Sequence, residues 1–200
     1  MAFAVSEFKT NLAGGGARPS LFSVDIDSAL TQLGISPPAS SRFLIKGASI
    51  PTSTIGTYDV LYPGKAIHVA GDRTYETWDT TIINDEDYGI RISLEKWMDL
   101  VAGHKLNIRR ADTFDSSEGE NASYKKSIKV TQYSKTGEHL HHYHFLGAFP
   151  TTLSAIPLDW GTQEIEEYTV TWSYDRWMPG GVVPHPRSDV PHLFPDEQHR

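Results

Sequence analysis

Short β-prone segments in which apolar and polar residues alternate run through most of this chain, and they limit its fold more than any other feature. In the segment Thr74–Asn84, Trp78 and Ile82 fall on the same face because successive side chains alternate across a strand. Glu76 and Thr80 share that face. The segment Ile165–Trp177 repeats the pattern with Tyr168, Val170, Trp172 and Tyr174. Such segments are typical of antiparallel sheets with one packed face.

The remaining β-prone segments are separated by turn signals. Four more strands are predicted at Ser20–Leu30, Ser41–Pro51, Ser127–Ser134 and His139–Phe149. The segment Gly56–Gly71 predicts a hairpin, because two β-prone runs flank the turn-forming pair Pro63 and Gly64. The last two strands of the four should form a second hairpin, because Gly137 suits the tight turn between them.

One segment, Asp87–Gly103, has helical rather than strand periodicity. Its apolar residues recur at helical spacing: Ile90, Leu94, Trp97, Met98 and Val101. Asp87 is the predicted N-cap and Gly103 the predicted stop. Asp85 and Glu86 add negative charge beside the helix N-terminus, where the helix dipole favours it.

These elements predict a mainly β (α+β) fold, an antiparallel β-sandwich or barrel of seven to nine strands with one packed α-helix. At 200 residues with 38% apolar residues, the chain can form one substantial core. The expected domain spans residues 17–177, with a flexible N-terminal arm at residues 1–16 and a Pro-rich extension at residues 178–200. A polar loop is expected at Arg109–Lys126.

Composition excludes several classes of function. The chain has no cysteine, which removes disulfides, thiol nucleophiles and cysteine-ligated metals. A formal net charge of -7 argues against tight binding of nucleic acid phosphates. No basic leader precedes an apolar run, and no apolar stretch is long enough to span a membrane, so synthesis in the cytoplasm and no membrane insertion are expected.

A cluster of carboxylates suggests a metal site at first sight. Six occur between residues 71 and 88: Asp72, Glu76, Asp79, Asp85, Glu86 and Asp87. A magnesium or two-metal site needs carboxylates that converge from different elements on one point. Glu76 and Asp79 instead fall on opposite faces of one strand, and the last three precede a helix. We therefore expect no metal and no catalytic residue among them.

Histidines crowd the strand at His139–Phe149. Alternation places His139 and His141 on the face of Tyr143, and His142 and His144 on the other face. A His-x-His pair on a strand can supply two zinc ligands. No third ligand is indicated nearby in the sequence, so solvent-exposed or interface histidines are the favoured interpretation.

Motifs for nucleotide, nucleophile-elbow and zinc-protease sites are absent, so no cofactor is expected. The chain has five tryptophans: Trp78, Trp97, Trp160, Trp172 and Trp177. Core packing is their favoured role, and a sugar-binding platform is the alternative.

Several collinear motifs carry a family resemblance. Ala70–Thr74 reads Ala-Gly-Asp-Arg-Thr, Trp78 follows in the next strand, and Asn84–Glu86 reads Asn-Asp-Glu before the helix. Three further segments match in order: Ala17–Ile26, Tyr124–Tyr133 and Pro157–Trp177. In these motifs the chain resembles the tail tube proteins of contractile-tailed, T4-like bacteriophages.

This resemblance implies a structural virion protein with no active site. It implies hexameric rings that stack into a hollow tube inside a contractile sheath, through which DNA passes without specific binding. The implied partners are further copies of the chain and the sheath, baseplate, tape-measure and tail-terminator proteins. Asp72 and Arg73 are interpreted as fixing a loop at the strand entry or as a subunit contact.

Other interpretations remain open at this point. The tube of another contractile injection or type VI secretion-like machine would share the fold. A monomeric β-sandwich that binds sugar or metal would use the tryptophans or the histidines. A metal-dependent hydrolase would use the carboxylates and lose its activity with a chelator.

Overall fold

A computed structural model describes residues 16–38, 41–103 and 124–180. The strands are β1 Phe22–Asp25, β2 Ile45–Ala48, β3 Thr54–Tyr62, β4 Lys65–Thr74, β5 Trp78–Ile83, β6 Lys126–Tyr133, β7 His139–Leu153, β8 Glu167–Ser173 and β9 Arg176–Pro179. The helices are α1 Asp27–Gln32, α2 Ser41–Leu44 and α3 Gly89–Val101. Every strand pairing is antiparallel, so the predicted mainly β architecture is confirmed.

Strand β7 connects the two halves of the main sheet. The strand order is β1-β6-β7-β8-β5-β2, with β9 also paired to β7. The first half of the 15-residue β7 pairs with β6 and β9, and its second half pairs with β8. Gly147, with φ of +68°, lies between these halves, where a Cβ would collide with the Asp175 carboxylate. Glycine therefore lets β7 pass between two layers, one formed with β1, β6 and β9 and the other with β8, β5 and β2.

The core between the two layers and α3 is rich in aromatic rings. Trp78 stacks on Phe145 with ring centroids 4.2 Å apart. Trp97 of α3 and Trp172 form an edge-on pair with ring centroids 5.6 Å apart. The helix face predicted to be apolar is buried at Ile90, Leu94 and Trp97. The alternating face of β8 is buried at Tyr168, Val170 and Trp172.

The predicted strand Ser20–Leu30 is only partly correct. It ends at Asp25, and α1 follows, with Ala29 and Leu30 completely buried. Ile26, Ala29 and Leu30 have the i, i+3, i+4 spacing of a helical face, which the alternation before them obscured. The predicted strand Ser41–Pro51 similarly begins with α2 and becomes strand only at β2.

The last predicted strand is divided in two. β8 ends at Ser173, and the Asp175 amide donates to the Leu146 carbonyl oxygen at 3.0 Å. The chain thereby crosses to the other layer as β9, which pairs with β7. Met178 and Pro179, expected in an extended tail, belong to this strand.

Three predicted segments lie largely outside the described residues. They are the N-terminal arm at residues 1–16, of which only Gly16 is described, the polar loop up to residue 123, and the extension after residue 180. Lys126, predicted as the end of the polar loop, is the first residue of β6. Within the described ranges, no helix is long and apolar enough to span a membrane.

Helix α3 begins later than predicted, and Asp87 is not its N-cap. The residue before the helix is Tyr88, in the left-handed region with φ of 53° and without a capping side-chain bond. The Asp85 carboxylate accepts a hydrogen bond from the Gly89 amide at 3.1 Å. Asp85 therefore satisfies the free amide at the helix start, because the left-handed turn brings its side chain back towards the helix.

Replacing Asp85 with alanine should lower the free energy of unfolding by about 1 kcal/mol, the usual cost of a lost helix cap. The matched Asp87→Ala variant should change it by less than about 0.5 kcal/mol. Urea unfolding followed by tryptophan fluorescence measures both. A larger loss in Asp87→Ala than in Asp85→Ala would contradict this assignment.

Candidate assembly surface

The hairpin of β3 and β4 stands apart from the main sheet, and we call residues Thr54–Thr74 the projecting hairpin. Within the part of the chain that the structure describes, its strands pair only with each other, from Thr54 opposite Thr74 to Tyr62 opposite Lys65. The chain reverses at the predicted turn, where Gly64 has φ of +80°. Every side chain of β3 is exposed.

Many of the exposed side chains of the projecting hairpin are large and apolar. They are Ile55, Tyr58, Val60, Leu61, Tyr62, Ile67 and Val69. An isolated two-stranded hairpin is at best marginally stable in water. Exposed apolar surface of this extent marks an interaction site. The projecting hairpin is therefore suited to contact another protein surface.

Asp72 and Arg73 lie inside β4, so their predicted place in a loop is wrong. Arg73 lies opposite Ile55, next to an irregularity in the strand register. The Tyr58 ring covers Gly71, where an added Cβ would lie 2.5 Å from the ring. Glycine at 71 therefore leaves the space that this ring needs. The subunit contact predicted for Asp72 and Arg73 stays a prediction.

The other carboxylates of the acidic segment lie in different parts of the chain. Glu76 precedes β5, which begins at Trp78, so its predicted place on the same strand as Asp79 is wrong. Glu76 and Asp79 are exposed, and Asp85 bonds to the start of α3. The Asn84 side chain donates a hydrogen bond to the Glu166 carboxylate at 2.9 Å. This bond joins the segment between β5 and α3 to the residue before β8. Among the residues that the structure describes, no three His, Asp or Glu side chains are arranged to hold a metal ion.

A bulge in β7 rearranges the histidines. His141 contacts Tyr143 at 4.8 Å between ring centroids, on the predicted face. His142 and His144 contact each other at 5.1 Å, also as predicted. His139 instead lies opposite Tyr133, with centroids 4.9 Å apart, after a register shift. The extra residue of a bulge changes which face the following side chain occupies, and strand alternation alone does not reveal it.

The tryptophans do not all belong to the core. Trp78, Trp97 and Trp172 are buried, whereas Trp160 is 106% exposed. Trp160 lies in residues 154–166, the β7–β8 loop, so its predicted packing role is wrong. Two more large apolar residues of this loop are exposed, Leu158 at 81% and Ile165 at 72%. Pro157 and Gly161 flank Trp160, and turn residues on both sides of an aromatic residue are the signal that could have indicated an exposed position.

The comparison with protein families agrees with the resemblance. The family described as "Phage tail tube protein" matches residues 17–179. The chain belongs to the phage tail tube protein family. It is 32% identical over 167 residues to the tail tube protein gp19 of Enterobacteria phage T4, covering 82% of this chain and 93% of that protein. The corresponding protein of Enterobacteria phage T6 is 31% identical over the same shares of the two chains.

Solved structures share the fold at much lower sequence identity. The tube-terminating cap of the anti-feeding prophage is 17% identical, with a TM-score of 0.58, covering 82% of this chain and 90% of that one. The sheath/tube terminator of an extracellular contractile injection system, PVC, has the same identity and TM-score, covering 82% and 96%. The tail tube fold thus occurs in phages and in other contractile machines.

Acidification should destabilise this tail tube protein through His142 and His144. Burial and the Lys129 ammonium lower the pKa of His142 below its ordinary value of 6.5, and burial together with protonated His142 lowers the pKa of His144. As the pH falls below 6.5, the unfolded chain therefore binds more protons than the folded chain. The free energy of unfolding should thus decrease as the pH decreases. Urea unfolding from about pH 7.5 to about pH 5 measures this slope.

A variant with both His142→Gln and His144→Gln should have a flatter pH dependence than the wild type. Lys129→Gln keeps both imidazoles but removes the nearby cation, so its slope should be intermediate. Equal slopes in the wild type and the double variant would show that these histidines do not cause the effect.

Proposed function

We propose that this chain is the structural subunit of a contractile phage tail tube, in which hexameric rings stack into the hollow conduit for the genome. Membership of the tail tube family supports this proposal. The observation that carries it is the projecting hairpin, whose apolar side chains gain burial only against a partner. In a tube, that partner is another copy of the chain.

Free sheet edges provide a second means of association. β1 and β2 lie at the two ends of the strand order, and each pairs with a single strand among residues 16–38, 41–103 and 124–180. An unpaired edge presents backbone donors and acceptors that can pair with another chain. In our proposal, the sheets of neighbouring subunits join around the ring and enclose a lumen. Closure of the ring leaves no edge exposed within it.

The role that we propose is structural, without an active site or cofactor. The acidic side chains then keep the protein soluble, cap a helix and contribute to the electrostatic potential inside the tube. With a net charge of -7, a lumen of neutral or negative potential would repel phosphate and let DNA slide without specific binding. Asp72 and Arg73, exposed near the base of the projecting hairpin, are proposed subunit contacts.

The proposed location is the virion tail, after synthesis in the host cytoplasm. Sheath, baseplate, tape-measure and tail-terminator proteins are the proposed partners. We also propose two appendages of the tube domain, residues 1–16 and the residues after Pro179. They would contact these partner proteins or neighbouring copies of the chain.

A tube of another contractile injection machine is the second candidate function. It is favoured by the likeness in fold to the cap of the anti-feeding prophage and to the PVC terminator. Genes for a capsid and a terminase near the gene of this protein would support the phage tail. Genes for a toxin payload without a capsid would support the injection machine.

Electron microscopy of the purified chain in negative stain, with light scattering of the same sample, tests the tube proposal. We expect rings or hollow tubes. A variant with Val60→Ser, Leu61→Ser and Ile67→Ser should keep the melting temperature of the body, because the projecting hairpin contributes no residue to the buried cluster of the described chain, but should lose assembly. Leu140→Ser is the matched control, since Leu140 is 50% exposed elsewhere.

Two outcomes would contradict the proposal. A wild-type chain that stays monomeric at high concentration, even with preformed tube ends as nuclei, would argue against a tube subunit. Normal tubes from the triple variant would remove the projecting hairpin from the interface. A monomer whose melting temperature rises with a sugar or metal ion would instead support a binding module.

A further inference from the structure

The layer formed by β1, β6, β7 and β9 carries two histidines and a methionine side by side on one face. His144 of β7 lies directly opposite Met178 of β9. Residues directly opposite each other on antiparallel strands have side chains on the same face, with Cβ atoms about 5 Å apart. The ring of His142 contacts the ring of His144 on this face. We call His142, His144 and Met178 the His–Met cluster.

The His–Met cluster lies on the face that points away from the core. Tyr143 and Trp177 alternate with its residues along the two strands, and their rings contact each other with centroids 5.6 Å apart. Both of these rings pack against the hydrophobic core. Because successive side chains of a strand point to opposite faces, the His–Met cluster is directed towards the surface. Its three residues are partly exposed, so an ion has access to them.

The two imidazoles have the spacing of rings that share one metal ion. Their centroids are 5.1 Å apart and their planes are nearly perpendicular, at 83°. A transition metal binds an imidazole nitrogen at about 2 Å, so two rings on one ion have centroids no more than about 6 Å apart. The His142 ring also lies over Gly180, the residue after β9, where an added Cβ would collide with it. His142 is thus directed towards the strand that carries Met178.

The charges around the His–Met cluster favour a soft ion of low charge. The strand register places four residues in one row: Asp25, Lys129, His144 and Met178. With strands about 4.8 Å apart, Asp25 is about 10 Å from His144, and Lys129 lies between them. The Lys129 ammonium repels a divalent ion, and among the described residues of this row no carboxylate is near enough to offset that repulsion. Thioether ligands select Cu(I), and imidazoles also bind copper.

We propose that the His–Met cluster binds one cuprous ion, Cu(I), through the imidazoles of His142 and His144 and the thioether of Met178. This site goes beyond the tube function and is independent of it. Because the histidines belong to β7 and Met178 to β9, the bound ion joins these two strands and acts as a structural clamp. Met178 lies far along the chain from the histidines, so the sequence pattern alone does not indicate it as a third ligand.

Competition for Cu(I) with the chelator ferrozine, whose Cu(I) complex is coloured, tests the site in the full chain in the absence of oxygen. The wild type should withdraw one equivalent of Cu(I) that depends on Met178. Met178→Leu keeps the side-chain volume but removes the sulfur. It should weaken binding by at least about tenfold, the loss that follows even when a group that only orients a metal ligand is removed. Met98→Leu is the matched control and should bind like the wild type.

A second pair of variants tests the histidines. His144→Gln should weaken binding at least as much as Met178→Leu, because it removes one of the two imidazoles. His139→Gln is its matched control, since His139 lies on the same strand but contacts the Tyr133 ring after the register shift. This control should retain the wild-type affinity.

X-ray absorption at the copper edge gives an independent readout, which works equally for single chains and for assembled tubes. The chain has no cysteine, so a sulfur neighbour of the copper must come from a methionine. We expect one sulfur neighbour and two nitrogen neighbours in the wild type and in Met98→Leu. The sulfur neighbour should be missing in Met178→Leu.

Several results would overturn the Cu(I) site. A wild-type chain that withdraws no Cu(I) from ferrozine would do so, as would a wild-type copper spectrum without sulfur. Equal affinities within either pair of variants, Met178→Leu and Met98→Leu or His144→Gln and His139→Gln, would remove that ligand from the site. Zn(II) bound as tightly as Cu(I), measured by competition with a zinc-sensitive dye, would overturn the assignment to a soft monovalent ion. The tube proposal stands or falls separately, by electron microscopy.

Discussion

The stacked and edge-on contacts of buried aromatic rings are the interaction on which the rest of this structure depends. Trp172 contacts both Trp78 on the neighbouring strand and Trp97 of α3, the latter in an edge-on arrangement. Each of these indoles also satisfies its N–H. Trp172 donates to the Thr80 hydroxyl, Trp78 to the Ser49 carbonyl oxygen and Trp97 to the Tyr124 carbonyl oxygen. Large rings supply much of the buried area, and their hydrogen bonds hold them in one orientation.

This core allows the body to leave apolar surface elsewhere uncovered. The projecting hairpin contributes no residue to the buried cluster of the described chain, and neither do Leu158, Trp160 and Ile165 of the β7–β8 loop. The residues of both segments can therefore be suited to binding a partner without lowering the free energy of unfolding of the folded body. A subunit that must be stable before assembly and adhesive during it benefits from this separation. Burial of the exposed side chains then contributes to assembly rather than to folding.

Residues whose partners are near in sequence were the most predictable. The turns at Gly64 and Gly137, the apolar face of α3 and the alternation in β5 and β8 each follow from a short stretch of chain. The start of α3 was less predictable, because Asp85 reaches Gly89 only through the left-handed conformation of Tyr88. The face of His139 depended on a bulge in β7, which strand alternation does not reveal. The exposure of Trp160 was signalled only weakly, by the turn residues Pro157 and Gly161.

The sequence by itself determined the fold class, the strand periodicities, the absence of cysteine chemistry and the family resemblance, because these follow from local pattern and from collinear motifs. Only the tertiary structure decided that β7 serves both layers, that β9 returns to pair with it, and that the two exposed apolar surfaces leave the body at opposite ends of β5. The physical reason is that pairing and exposure are relations between segments far apart in the chain. The alternation of apolar and polar residues predicts that a strand has two different faces. Only the packing of the folded chain determines which residues cover each face.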